Sequence, residues 1–167
     1  MIIYFIYTKD VVQKAVKRET SLLAERRRTA EGAELLDELV MDEEYDITFK
    51  ALMNDAHAEI ILNLAAHYLI DTPTDMEPVF QEFPDFRQDR DFNLWLNMHA
   101  DWPTQYRKAV DIKLLSYIID YICYRWLETK SPNDAQTYYS RLDKTIDDVK
   151  RMLTRKTVPL RRYPSFP

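Results

Sequence analysis

Glycine is almost missing from this chain. Gly32 is the only one among 167 residues, while hairpins, bulges and phosphate-cradling loops depend on residues that tolerate positive φ. Neither a P-loop nor a dinucleotide fingerprint can be written with a single glycine, and its scarcity argues against an all-β or Rossmann-type architecture. Cysteine is as rare: Cys123 alone excludes an intrachain disulfide and a multi-cysteine zinc site. That points to a reducing compartment, and the cytoplasm is the expected location. The opening run Ile2 to Tyr7 is apolar but too short for a signal-peptide core or a bilayer-spanning helix. It reads as an edge strand or as an arm that docks onto something, and no membrane association is expected.

What is present is helical patterning. A first helix is expected from Thr8 to Asp10, whose short polar side chains suit a first turn, to about Arg28. Val12, Ala15, Val16, Leu22 and Leu23 give it a moderate stripe, Ala30–Glu31–Gly32 suggests a break, and a helical turn follows over Leu35 to Val40. Over 42–70 the periodicity is strong: Phe49, Leu52, Ala56, Ile60, Leu64 and Tyr68 recur at three- and four-residue steps. Residues 72–90 lose it, holding Pro73, Pro78 and Pro84 among Phe80, Phe83 and Phe86, and read as an ordered loop with aromatic anchors. From Pro103 to about Thr129 two adjacent stripes (Val110, Leu114, Ile118, Ile122, Trp126 and Leu115, Ile119, Cys123, Leu127) predict a central helix with several neighbours. Ser131, Pro132 and Asp134 mark the start of the next helix, whose face is Ala135, Tyr138, Tyr139, Leu142, Ile146, Val149 and Met152 and which runs to about Lys156. The expected fold is all-α: a bundle of three long helices plus shorter ones in one domain over 1–156, with an extended N-terminal arm at 1–7 and an extended basic tail at 157–167.

Charge is segregated beneath a net −5. Between Glu31 and Glu59 stand ten acids and one base, Lys50, whereas Lys150 to Arg162 holds six bases and no acid. The sum argues against a general nucleic-acid binder. A helix-turn-helix over 9–40 would need a recognition helix able to approach phosphates, and Leu35 to Val40 is acidic.

Each chemical reading has an ordinary counterpart. His57 and His67 share a predicted helix, and His67 with Asp71 has ligand-like spacing. A glutamate three residues before a histidine, the di-iron signature, is absent: Asn54, Leu64 and Leu96 occupy those positions. HExxH is missing too, and no cofactor is expected. Glu31, Glu34 and Glu38 sit on neighbouring turns, and all-α nucleotide pyrophosphohydrolases hold magnesium with such carboxylates. A facing pair would have to come from Asp143, Asp147 and Asp148, and a solvated acidic face is the commoner outcome. Cys123 lies within an apolar stripe, where burial lowers thiol reactivity, so packing is its expected role. Asp120 and Arg125 interrupt the same stripe, as a helix edge, a buried pair or a subunit contact would. Arg26, Arg27 and Arg28 can meet phosphate, anionic lipid or a partner's carboxylates, although free solvated arginines are the usual finding.

Aromatics carry the opposite weight. Eleven tyrosines and three tryptophans exceed what a helical core of this size needs, and interfaces favour Tyr, Trp and Arg. Tyr4, Tyr7, Trp95, Trp102, Tyr163 and Phe166 fall in predicted arms, loops or short elements. Together with Arg26, Arg27, Arg28, Arg161 and Arg162 they form the expected partner-binding set. Protein contact without catalysis is the function class this composition favours.

The order of these features resembles that of hypothetical proteins from phage and prophage structural-gene clusters of Bacteroides-type bacteria. The resemblance rests on the start Met1 to Tyr7, Lys17-Arg18-Glu19-Thr20-Ser21 running to Arg28, and the acidic helix from Asp42. It continues through Tyr124-Arg125-Trp126-Leu127, Ala135 to Tyr139 and Pro159-Leu160-Arg161-Arg162. It implies a virion structural or adaptor protein similar to head–tail connector or tail-completion proteins, resident in the bacterial cytoplasm or the virion. The implied partners are copies of itself or virion proteins in a homo-oligomeric assembly, with no specific nucleic acid. Two other expectations stand beside it: the metal-dependent pyrophosphohydrolase, and a regulatory binder of a host protein.

Overall fold

A computed structural model of the chain describes residues 1–31, 36–65 and 92–156, with the backbone alone for 28–31 and 36–37. Among the described residues the chain is mostly helical, with four long helices, one single helical turn and a small two-stranded antiparallel sheet, so it is not strictly all-α. The elements run β1 (Ile2–Tyr7), α1 (Lys9–Glu31), the single turn α2 (Leu36–Leu39), α3 (Asp46–Ala65), β2 (Phe92–Asn97), α4 (Arg107–Leu127) and α5 (Pro132–Thr154). The aromatic loop expected at 72–90 and the tail expected at 157–167 lie outside the described residues.

The sheet corrects the all-α expectation, and its cause is visible in the sequence. Of the two readings of Ile2–Tyr7, the strand holds: β1 pairs antiparallel with β2, from Ile2 opposite Asn97 to Tyr7 opposite Phe92. Side chains of a strand alternate between faces, so Ile3, Phe5 and Tyr7 of β1 and Phe92, Leu94 and Leu96 of β2 all turn into the core. Six apolar residues facing one way supply the burial that an isolated arm would lack.

α1 contributes Val12, Val16, Thr20 and Ala24 at four-residue steps, all buried. The one polar member is satisfied: the Thr20 hydroxyl donates to the Val16 carbonyl at 2.9 Å and accepts the Met41 N–H at 3.1 Å. It thereby ties α1 to the segment after α2. α3 starts at Asp46, four residues later than the acidic run suggests, because Glu43–Tyr45 forms a 3-10 turn with the Asp42 carboxylate accepting the Glu43 N–H at 2.7 Å. α3 buries Phe49, Met53, Ala56, His57, Ile60 and Leu64; residues 66–70 lie outside the described residues.

α4 is the central helix its double stripe implies, touching α1, α3 and, most extensively, α5. Its buried residues include Val110, Leu114, Ile118, Ile122, Cys123, Trp126 and Leu127. Pro103 precedes a 3-10 turn, Thr104–Tyr106, that leads into the helix. α5 begins at Pro132 as its start signals require, but Ser131 does not cap by side chain. Its hydroxyl donates to the Asp134 carboxylate instead, while its carbonyl accepts the N–H groups of Asp134 and Ala135, both at 3.0 Å. The packed face of α5 departs from expectation at two places: Tyr139 is exposed, and Leu153 rather than Met152 is fully buried.

Candidate interaction surface

The residues picked from sequence scatter over three environments. Tyr7 and Trp102 belong to the core, not to an arm or loop surface. The Tyr7 ring faces inward because it sits at an odd position of β1, and its hydroxyl donates to the Asp111 carbonyl at 3.3 Å. Burial first, then the nearby Asp111 charge, pushes its pKa upward. The Trp102 indole N–H donates to the Met152 carbonyl at 2.9 Å, pinning the approach to α4 against α5. These two aromatics hold the fold.

Arg27 is also internal to the structure: its guanidinium meets the Asp134 carboxylate at 2.6 Å, joining α1 to the start of α5. Arg26 is exposed. The side chain of Arg28, and the whole of Arg161, Arg162, Tyr163 and Phe166, lie outside the described residues, as do the side chain of Glu31, all of Glu34, and His67 with Asp71. Glu38 is exposed. Of the acids expected to face that cluster, Asp148 pairs with Lys113 at 2.9 Å, which holds its carboxyl below the usual range. Asp143 and Asp147 point to solvent. Among the described residues no group of three or more His, Cys, Asp or Glu could hold a metal ion.

The acidic segment is partly consumed by the protein itself. Asp42 meets Lys17 of α1 at 2.6 Å, and Asp46 meets Lys9 and Lys50 at 2.7 and 2.9 Å. Hydrogen bonds from these lysines hold both carboxyls below the ordinary range. Two of the acids that stand out in the sequence are therefore paired with lysines of this chain, leaving less acidic surface for another chain than the charge count implies.

Cys123, His57 and Asp120 are further titratable groups inside the body. Burial pushes the Cys123 thiol well up, matching its expected packing role. His57 lies edge-on to the Phe92 ring at 4.1 Å, and burial depresses its pKa to about 4. Asp120 keeps 14% of its side chain exposed and has Arg141 at 3.7 Å. Its pKa is raised to about 6 by burial, against the pull of Arg141 and with some push from Glu19. Arg125, its companion in the stripe, pairs instead with Glu128 at 3.0 Å on the same helix end.

Among the described residues, sequence-picked aromatics gather on an outward face only at the sheet. Even positions of β1 point away from the core, so Ile2, Tyr4 and Ile6 stay 43%, 39% and 45% exposed. Trp95, directly opposite Tyr4, packs a tilted ring against it with centres 5.2 Å apart. The Arg107 guanidinium lies 5.4 Å from the centre of the Tyr4 ring. An open groove of about 470 Å³ runs between β1 and the start of α4, lined by Tyr4, Phe5, Ile6, Thr104, Gln105, Arg107, Lys108 and Asp111. The sequence reading named Tyr4 and Trp95 but missed Ile2, Ile6 and Arg107. The signal that finds them is the period-two alternation of both strands.

No family model matches the chain, and neither a curated protein nor a solved structure matches it.

Proposed function

We propose that the protein is a non-enzymatic structural or adaptor component of a phage or prophage particle, of head–tail connector or tail-completion type, working through contacts with other chains. The observation that carries this reading is the outer face of the β1–β2 sheet. Ile2, Tyr4 and Ile6 expose apolar surface in a row, the Trp95 ring packs tilted against Tyr4, and Arg107 borders it. Contiguous apolar and aromatic surface with an arginine rim is the composition that protein interfaces favour. Resemblance to phage structural-gene products supplies the kind of assembly.

The burial of Tyr7 and Trp102 and the internal pairing of Arg27 narrow the proposed contact set. It centres on Tyr4, Trp95 and the sheet face, with Arg26, Arg28 and the tail residues Arg161, Arg162, Tyr163 and Phe166 retained from the sequence pattern. Co-elution with candidate portal and tail proteins tests the reading. A stable complex, weakened when Ile2 and Ile6 are both changed to Lys, is expected; a chain that stays monomeric and ignores every virion component overturns it. Binding to a host protein alone would favour the regulatory alternative. Magnesium-dependent release of pyrophosphate from nucleotides, abolished by Glu34→Gln, would favour the hydrolase.

A further inference from the structure

Several aromatic rings of this molecule already carry one of its own cations: Lys130 lies over Tyr45 and Trp126, Arg141 over Tyr138 and Arg155 over Tyr106. The seam between α3 and α5 is built differently. Both helices pack on α4, and residues four apart share a helix face. Asp55 and Glu59 therefore edge α3, while Tyr117 and Tyr121 of α4 stand beside them with ring centres 6.3 Å apart and planes at 22°. Asp143 of α5 lies on the other side of Tyr117. One turn past Glu59, Lys150 of α5 bridges the seam by donating to Asn63 of α3 at 3.1 Å, and Arg125 is engaged by Glu128 at 3.0 Å. Among the described residues no lysine or arginine pairs with Asp55, Glu59 or Asp143, and no cation lies over the Tyr117 or Tyr121 ring.

Tyr117 marks where a ligand would be held. Only 4% of it is exposed, and its hydroxyl has no hydrogen-bond partner among the described residues. No fully enclosed side-chain oxygen among them goes unpaired, so that hydroxyl reaches the surface of the seam. Burial first, then Glu59, Tyr121 and Asp143, push its pKa up to about 12. The phenol thus keeps its proton, with a carboxylate on the α3 side and another on the α5 side. Two carboxylates without a cation, flanking an unpaired phenol oxygen, suit a positive group rich in N–H donors. A metal ion is a poor fit, since no group of three or more His, Cys, Asp or Glu could hold one among the described residues. A guanidinium fits better than an ammonium, because its planar fork can bond carboxylates on two sides and lie against an aromatic face.

The geometry points to a binding site for an arginine side chain of a partner protein, bonded by Glu59 and Asp143, with the Tyr117 oxygen as a further acceptor and the Tyr121 ring as a stacking face. The inference rests on the reading of the protein as one that acts through contacts with other chains, and it states what such a chain must offer: an exposed, arginine-bearing basic segment.

Fluorescein-labelled hexa-arginine, followed by anisotropy against the full-length protein at physiological salt, is the probe. It should bind, and hexalysine should bind less well. Glu59→Gln with Asp143→Asn should weaken binding about tenfold and Tyr117→Phe about threefold, the losses expected of charged and neutral hydrogen bonds. Glu25→Gln with Glu44→Gln removes the same charge from exposed positions elsewhere and should change little. Circular dichroism of every variant should match the parent, Tyr117→Phe included, since it keeps the buried ring. Equal weakening by the two double variants, equal binding of hexalysine, or an unchanged affinity in Tyr117→Phe reduces the interaction to charge attraction and overturns the site. Changing Arg161 and Arg162 both to Ala in the full chain should leave affinity unaltered; a large gain would mean that the chain's own arginines compete for the seam, and would overturn its assignment to a partner. Each of these failures leaves the sheet face untouched, and co-elution with virion proteins decides the contact reading separately.

Discussion

At the scale of single residues, His57 and Asp120 set opposite pH dependences that can be separated by substitution. His57 has its pKa depressed from 6.5 to about 4. Its neutral form therefore favours the fold above pH 6.5, and that contribution is lost as pH falls toward 4. Asp120 is raised from 3.8 to about 6, so its protonated form favours the fold at low pH and the contribution is lost as pH rises through 6. Between pH 4 and 6 the two slopes oppose each other. Asp120→Asn should unmask the histidine, giving a melting temperature that climbs with pH across this range, and should gain on the order of 1–2 kcal/mol over the parent at pH 8. His57→Gln should unmask the aspartate, giving a melting temperature that falls over the same range. Thermal melts at half-unit pH steps check both. The sequence marks Asp120 as an interruption in an apolar stripe, but the partner across the helices, Arg141, is not readable from spacing within α4.

At the scale of elements, the short turn α2 is held by one tryptophan. The Trp126 indole N–H donates to the Leu39 carbonyl at 2.8 Å, and Lys130 lies 3.3 Å over the same ring while donating to the Glu38 carbonyl at 2.6 Å. Trp126→Phe should cost about 1–2 kcal/mol, because the buried Leu39 carbonyl loses its donor. Trp126→Ala should cost about 3–5 kcal/mol by adding a cavity. Chemical denaturation of the two variants separates the bond from the packing. The helices were readable because their stripes are long: Val110 to Trp126 and Ala135 to Val149 repeat often enough to fix type and face. β2 was not read, although Phe92, Leu94 and Leu96 alternate with Asn93, Trp95 and Asn97. Six residues give few repeats, and a strand gains its burial only from a partner, here β1, about ninety residues away in sequence. The same long-range pairing hid the candidate surface, since the face shared by Tyr4 and Trp95 exists only once the two strands are in register.

At the scale of the whole molecule, part of the acidic run is taken up by contacts within the chain. Asp42 and Asp46 bind Lys17, Lys9 and Lys50. These pairs are largely solvent-facing, where water and salt screen them, so Asp42→Asn should shift stability only slightly in a denaturant titration. Assembly is expected to depend on the apolar sheet face instead, and therefore to survive moderate salt, because screening weakens exposed charge pairs and not apolar burial.

The most direct test of a protein that acts through contacts with other chains is its mass in solution, measured by light scattering behind size exclusion across a concentration series. The predicted result is twice the 20.0 kDa chain mass, or a larger multiple, reverting to one chain when Ile2 and Ile6 are both Lys and the sheet face is charged. A mass of 20.0 kDa at every concentration, unchanged by those substitutions and by added virion proteins, would contradict it.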